Sequence, residues 1–267
     1  MFQANLLKSA LVACGFLEAV KAITTSNADL AAFPGFEAAM AGAGQYLQWE
    51  SHKVVTADGY GLTLFKLVGD SLGNPLVATK GPVLLTHGVF SDAVDWLDRI
   101  NTESMDPAIA VQLALDGHEV WIGCNRGREF SRTHTDANTN PNSSSATIRA
   151  RYWNFSFEDI GERDLPAMID AIIAARSSYA CDKVSILAHS SGANQALVAA
   201  LRAPQFASKV DRITSVAPCL QIEQDNFFLP LKDEISVQMF YSLFEEAGVT
   251  NLFGADHDEQ MSRLREY

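Results

Sequence analysis

The sequence has few basic residues and no basic cluster. Its 20 lysines and arginines stand against 32 aspartates and glutamates, giving the 267-residue chain a formal net charge of −12. Nucleic-acid binders normally carry a basic surplus, because neutralising phosphates supplies most of their affinity. We therefore expect no nucleic-acid partner. An anionic surface also repels acidic membranes at neutral pH.

Cysteine is also scarce, and glycine and proline are not enriched. The four cysteines are far apart and match no zinc-site spacing, so we expect no metal and no cofactor. Glycine (17) and proline (9) are too few for a fibrous repeat, and 48% hydrophobic residues argue against disorder. These numbers favour one globular domain with a substantial core.

The N-terminal apolar run, residues 10–17, is too short to cross a membrane. It follows Lys8 and precedes Val20-Lys21-Ala22, which places small residues around a cleavage site. The pattern predicts a signal peptide over residues 1–22, and hence a secreted, lysosomal or vacuolar protein. An amphipathic first helix is the alternative interpretation. Removing residues 1–22 would leave three cysteines, Cys124, Cys181 and Cys219, an odd number that leaves one thiol without a partner in the chain.

Two Asn-x-Ser sequons are consistent with the secretory route. They begin at Asn142 and Asn154, and both are glycosylation acceptors if the chain enters a eukaryotic secretory pathway. Sequons also arise by chance, so they add little support of their own.

From residue 50 onward, short apolar runs alternate with helical periodicity, which predicts an α/β fold. Asp58-Gly59 is a hairpin signal between two strands, so the sheet should open with an antiparallel edge. Asp106-Pro107 predicts a helix start and Gly117 its end. Strands separated by helices imply a doubly wound, mostly parallel sheet over residues 23–220. The predicted strands are 83–86, 120–123, 184–188 and 213–217; the apolar helix face is Leu165, Met168, Ile169, Ile172 and Ile173.

The pentapeptide Ala188-His189-Ser190-Ser191-Gly192 joins a predicted strand directly to a predicted helix. A serine on such a sharp turn is held in strained backbone geometry with its hydroxyl above the sheet. Small residues at Ala188 and Gly192 let the strand and helix approach each other, although Ala188 replaces the more usual glycine. The alternative is an ordinary strand–helix turn with a capping serine.

His87-Gly88-Val89 follows an earlier strand and can supply an oxyanion hole. Ester hydrolysis builds an oxyanion that two backbone N–H groups must hold, and Ser191 and Val89 are in the required places. His87 itself is open to a plainer interpretation, in which it only hydrogen-bonds the loop backbone.

Together, these motifs resemble those of the acid lipase family of α/β-hydrolases, which includes gastric and lysosomal acid lipases. The resemblance spans residues 46–220 and implies that Ser190 is the nucleophile, that Val89 and Ser191 form the oxyanion hole, and that the substrates are neutral lipid esters. The colinear segments that carry it are Thr56–Tyr60, His87–Phe90, Gly117–Trp121, Asn125–Gly127, Phe130–His134, Phe155–Glu158 and Asp164–Ala167.

In the family, an acidic residue and then a histidine follow the nucleophile in sequence and complete a catalytic triad. This chain departs from the family in the region where those two residues belong. Residues 221–267 resemble the start of the family's lid, and His257 is the single histidine after Ser190. An order Ser–Asp–His can be written with His257, but no strand pattern precedes it, so we do not expect it to serve. The aspartates available to such a triad are Asp211, Asp225, Asp233 and Asp256.

Two expectations follow from this departure. The chain should be a lipase fragment that lacks its base, and strand 213–217 should be an uncovered edge that is apolar on both faces. The alternatives are a catalytically silent hydrolase-fold protein that binds lipid or a partner, and a hydrolase of another substrate, such as a peptidase or thioesterase.

The remaining charged motifs are expected to be structural. The segments Asn125–Gly127 and Phe130–Arg132 should shape a loop beneath the site, with a buried arginine, Arg126 or Arg132, paired with carboxylates such as Glu158 or Asp164. The histidines His52, His118 and His134 should be structural or solvated rather than catalytic.

Overall fold

The computed structural model describes residues 25–89, 91–99, 106–175 and 183–218. The predicted signal peptide, the predicted lid, His257 and all cysteines except Cys124 lie outside these residues. None of the described helices is long and apolar enough to span a bilayer. The strands are β1 (Gln48–Val55), β2 (Tyr60–Gly69), β3 (Pro82–Thr86), β4 (Glu119–Cys124), β5 (Thr133–His134), β6 (Val184–His189) and β7 (Val210–Val216).

The described α-helices lie before and between these strands along the chain. They are α1 (Asn27–Ala32), α2 (Pro34–Gly42), α3 (Ile109–Leu115), α4 (Ala146–Tyr152), α5 (Phe157–Asp159), α6 (Leu165–Ala175), α7 (Ser191–Arg202) and α8 (Phe206–Lys209). A 3₁₀ turn covers Ala93–Leu97, and a π-helical turn, Ile160–Asp164, joins α5 to α6.

The strands form one sheet in the order β1-β2-β4-β3-β6-β7, with β5 paired to β2. The β1–β2 hairpin is antiparallel and turns at Asp58-Gly59, where Gly59 has a φ of 94°. The pairs β3–β4, β3–β6 and β6–β7 are parallel. The predicted α/β fold with an antiparallel edge is therefore confirmed.

Alternation along the central strands sends side chains into two cores. Val83 and Leu85 of β3 pack into one core with α2 and α3, while Leu84 packs into the other with α6 and α7. Helices consequently cover both faces of the sheet, as the sequence predicts. The periodic positions of α6 explain its packing, because Leu165, Met168, Ile169 and Ile172 are buried on one side.

Two sequence predictions about individual elements are wrong. Helix α3 begins at Ile109 with Ala108 as its N-cap, rather than at Pro107 after an Asp106 cap. Strand β7 is not apolar on both faces, because its sequence, VDRITSV, places polar side chains at Asp211, Arg212, Thr214 and Ser215. Polar residues are common on edge strands, where they discourage pairing with other chains, and β7 is the outermost strand of the described sheet on its side.

Candidate active site

Ser190 lies on a sharp turn between the end of β6 and the start of α7. Its φ is 52° and its ψ is −121°, a conformation that a residue with a Cβ rarely adopts. The Ser190 N–H donates to the Val216 carbonyl of β7 at 2.9 Å. The predicted strand–turn–helix context is therefore present, with the turn bonded to the neighbouring strand.

The residues on either side of this turn are small because backbone lies against them. A Cβ on Gly192 would lie 2.7 Å from the His87 carbonyl oxygen and 3.0 Å from that of Thr86. Ala188 is fully buried in the sheet core. A Cβ on Gly88 would lie 3.1 Å from the Ser190 Cβ, so the 87–89 loop packs directly against the serine.

Val89, Ser190 and Ser191 share one cavity of about 720 Å³, a size typical of small-ligand sites. Val89 is 55% exposed at this cavity. Ser191 is the first residue of the 12-residue helix α7, whose N-terminal N–H groups favour negative charge. His189, the remaining elbow residue, ends β6 and is half-buried. The sequence-predicted elbow and oxyanion residues are thus brought together.

His87 is held in one neutral form by two backbone groups. The Asn125 N–H donates to its Nε2 at 3.2 Å, so the ring proton belongs on Nδ1, which lies 2.8 Å from the Gly88 carbonyl oxygen. Burial lowers the pKa of His87, which favours the same neutral state. The plainer interpretation of His87 fits this geometry, and neither nitrogen is free to accept the Ser190 proton.

One group of the described residues has the composition of a metal site. A nitrogen of His87, a carboxylate oxygen of Asp92 and the Cys124 sulfur all lie within 4.8 Å of one another. The Cys124 thiol, which is free and buried, donates to Asp92 Oδ1 at 3.3 Å, and burial raises its pKa well above the ordinary value. A metal would have to displace these hydrogen bonds and deprotonate the thiol, so we treat the group as a hydrogen-bonded cluster.

Arg126 is fully buried beside the cavity and is clamped by two carboxylates. Its guanidinium lies 2.6 Å from Asp164 and 2.8 Å from Asp58, and its backbone N–H also donates to Asp164. Asp164 was one of the two partners expected, whereas the second carboxylate is Asp58 rather than Glu158. Asp58 also binds Arg163 at 2.7 Å. No local pattern marks Asp58 as a partner of Arg126, because the two residues are 68 positions apart in the sequence.

The cavity has an apolar wall that the sequence patterns did not predict. We call Trp153, Phe155, Phe157 and Ile160 the apolar wall; all four line the cavity that contains Ser190. Three aromatics within five residues were the available signal. They occur in the sequence as Trp-Asn-Phe-Ser-Phe, where alternate residues are aromatic.

The other predicted residues lie away from the cavity. His52 contacts Glu50 at 2.9 Å, and His134 hydrogen-bonds the Asp58 carbonyl. His118 lies 3.4 Å from the Gly81 carbonyl oxygen. The side chains of Asn142 and Asn154 are exposed, as glycosylation would require.

The buried Asp164 should make folding stability depend on pH. Burial raises its pKa from 3.8 to about 6, against the lowering effect of Arg126. Between about pH 4 and 6, Asp164 therefore keeps its proton in the folded state but releases it in the unfolded state. The stability that this difference contributes is fully present below about pH 4 and is lost as pH rises through 6. We expect urea unfolding of wild type to show that loss between pH 4 and 7. The Asp164→Asn variant should lack it, and identical pH slopes for the two proteins would contradict this assignment.

Comparisons with known proteins identify the family of the chain. The family described as "alpha/beta hydrolase fold" matches residues 81–259, and the one described as "Partial alpha/beta-hydrolase lipase region" matches residues 45–99. Gastric triacylglycerol lipase of Mus musculus is 28% identical over 174 residues, covering 65% of this chain and 40% of the relative. Lipase member K of the same species is 29% identical over 175 residues, covering 66% and 40%.

The solved structure of a brefeldin A esterase, described as a bacterial homologue of human hormone sensitive lipase, has a TM-score of 0.40 at 16% identity. It covers 97% of this chain and 66% of that one. The chain spans about 40% of the length of the curated relatives it matches. From the long match to the hydrolase fold and the separate match to its lipase region, the chain belongs to the acid lipase family of α/β-hydrolases.

Proposed function

We propose that this chain carries the acyl-transfer half of a lipid ester hydrolase site, with Ser190 as nucleophile. The observation that carries the proposal is the Ser190 turn, with its φ of 52°, opening into the cavity that also holds Val89 and Ser191. In this reaction the Ser190 oxygen bonds to the ester carbonyl carbon, and the alcohol leaves with a proton. Water then attacks the acyl-serine, releasing the acid and restoring the hydroxyl. No metal or cofactor takes part.

The N–H groups of Val89 and Ser191 would hold the oxyanion of both tetrahedral intermediates. Both residues line the cavity beside Ser190, and helix α7 points its N-terminus at the same place. Such donors stabilise the transition state more than the ground state, because the negative charge develops only during the reaction.

The base that accepts the Ser190 proton is not among the described cavity residues. His87 is the one histidine among them, and both of its nitrogens are engaged by backbone groups. This observation favours a second candidate, a catalytically silent hydrolase-fold protein that binds lipid. His257, the histidine that follows Ser190 in sequence, lies outside the described residues.

A neutral lipid ester is the substrate class that we propose. Relatives include a gastric triacylglycerol lipase, and the cavity beside Ser190 has apolar side chains on one wall. Such an enzyme would work at a lipid–water interface. The proposal extends to a secretory route, which rests on the pattern of residues 1–22 and on the exposed acceptors Asn142 and Asn154.

A fluorophosphonate probe separates the two candidates. Attack by Ser190 forms an oxygen–phosphorus bond and expels fluoride, so we expect mass spectrometry to find the adduct on the peptide containing Ser190. The Ser190→Ala variant should remain unlabelled. Absence of labelling in the folded wild-type chain would reject the hydrolase proposal and favour the silent one. Hydrolysis of long-chain esters but not of peptides or thioesters would support the substrate class.

A further inference from the structure

We infer that Asn125 and Gln195 are positioning residues that set the spacing between the two proposed oxyanion donors. Those donors are the N–H groups of Val89 and Ser191, which belong to different elements, the 87–89 loop and helix α7. The spacing between them therefore depends on whatever joins the loop to the helix. The inference deepens the proposed function and rests on it for the role of the two donors.

A set of three buried hydrogen bonds runs from Gly88 through His87 and Asn125 to Gln195, and we call it the buried connection. At the loop, His87 Nδ1 donates to the Gly88 carbonyl at 2.8 Å, and the Asn125 N–H donates to His87 Nε2 at 3.2 Å. The Gly88–Val89 peptide is trans, so the Val89 N–H points opposite to the Gly88 carbonyl. Holding that carbonyl therefore fixes the direction of the Val89 N–H.

At the helix, the buried connection ends in a pair of amide side chains. Asn125 Nδ2 donates to Gln195 Oε1 at 3.0 Å, and each residue is only 3% exposed. Gln195 lies about one helical turn along α7 from Ser191, so the two share a face of the helix, and both line the cavity. A Cβ on Gly161 of the π-helical turn would lie 2.7 Å from the Gln195 carbonyl oxygen. The helix end of the connection is thus held against a third element.

The sheet brings the members of the buried connection together. Strands β3 and β4 are parallel neighbours, with Thr86 paired to Gly123, so the chain leaves both strands at the same edge of the sheet. His87 directly follows β3, and Asn125 directly follows β4. The connection is therefore a product of the parallel register and not of a local motif.

The amide pair is not the arrangement that stability alone would favour. Asn125 Oδ1 is buried and has no hydrogen-bond partner among the described residues. An unpaired buried acceptor costs stability, whereas two apolar side chains of similar shape would leave no polar group unsatisfied. Departures of this kind are expected where a residue serves the geometry of a site, and both amides line the cavity that contains Ser190.

Asn125→Leu tests the buried connection because it removes the Nδ2 donor and keeps the backbone N–H that binds His87. We expect the maximal rate of fluorophosphonate labelling of Ser190 to fall about tenfold, which is the effect of one hydrogen bond on a misplaced oxyanion donor. The probe concentration that gives half the maximal rate should not change, since the oxyanion charge develops only in the transition state. Gln195→Met should slow labelling equally, and the double variant should be no slower than either single variant.

Tyr152→Phe is the matched control, because it also removes a buried hydrogen bond. The Tyr152 hydroxyl donates to the Ser131 carbonyl at 3.1 Å, and neither residue is among the described residues that line the cavity. We expect this variant to lower thermal stability and to keep the labelling rate of wild type. Equal slowing by Tyr152→Phe and Asn125→Leu would overturn the inference, since loss of stability would then explain both.

Val89→Pro shows whether Asn125 acts through the loop donor. In a chain that already lacks the Val89 N–H, Asn125→Leu should slow labelling by less than about twofold, because the donor that it misplaces is absent. Slowing in this background that equals the slowing in wild type would overturn the inference. That result would leave the hydrolase proposal intact.

Amide hydrogen exchange tests the buried connection without any reaction at Ser190. In the full chain carrying Ser190→Ala, we expect Gln195→Met to speed exchange of the Asn125 N–H about fivefold, because releasing the side chain loosens its bond to His87. Tyr152→Phe should leave that exchange rate unchanged. If wild type is not labelled, hydrolysis is rejected and exchange alone decides: faster exchange supports the connection, and unchanged exchange overturns it.

Discussion

Arg126→Met is expected to lower the free energy of unfolding by about 3–5 kcal/mol. The arginine side chain is fully buried, as is that of Asp164, which it contacts at 2.6 Å. Methionine keeps the volume but leaves the Asp164 carboxylate without its counter-charge in the protein interior. Asp58 is less affected, because its side chain is partly exposed and retains Arg163 at 2.7 Å. Urea unfolding at pH 7 measures the loss.

Two further variants test the cause of that loss. Arg202→Met removes an exposed ion pair with Glu162 and should leave the free energy of unfolding nearly unchanged, because solvent screens exposed pairs. The double variant Arg126→Met/Asp164→Leu removes both buried charges and should recover most of the stability lost by the single change. If the double variant is less stable than Arg126→Met alone, the stranded Asp164 charge is not the cause.

Val89→Pro is expected to slow acylation of Ser190 about 10²–10³-fold, which is the usual effect of losing one oxyanion donor. Proline has no N–H, so the change removes the donor from the loop that lies against Ser190. Val89 is 55% exposed, which leaves room for the ring. The rate of fluorophosphonate labelling measures the effect, and thermal unfolding checks that the variant is folded.

Val89→Ala is the matched control because it shortens the side chain but keeps the N–H. Its labelling rate should remain close to that of wild type. Equal rates for the proline and alanine variants would show that the N–H of Val89 does not hold the oxyanion.

Local sequence patterns predicted most of the sheet and of helix α6. The apolar runs 83–86 and 184–188 correspond to β3 and β6. Short apolar runs bounded by turn residues are typical of buried strands, which is why these two were predictable. The start of α3 was misplaced, since Asp106-Pro107 is a strong start signal that packing can shift by one or two residues. Helices α1 and α2 were not predicted. Their small residues and phenylalanines give little helical periodicity, and burial of Phe36 against β1 and β2 fixes α2.

The site was predictable where its parts are adjacent in sequence. The Ser190 turn and the 87–89 loop are short motifs, and their small residues, such as Gly88 and Gly192, mark the places where backbone segments must approach closely. The Asp58–Arg126 pair joins residues 68 positions apart, and nothing local distinguishes Asp58 from any other hairpin residue. The apolar wall was missed for a similar reason, because alternate aromatics also occur in ordinary cores and only the fold shows that these residues line the cavity beside Ser190.

The hydrogen bond from Ser190 to Val216 makes the Ser190 turn depend on the outermost described strand. Any fluctuation that separates β7 from β6 also breaks the hydrogen bond between the Ser190 N–H and the Val216 carbonyl, which supports the strained backbone of the turn. The Ser190 turn can therefore keep its unfavourable backbone conformation only while β7 stays paired with β6.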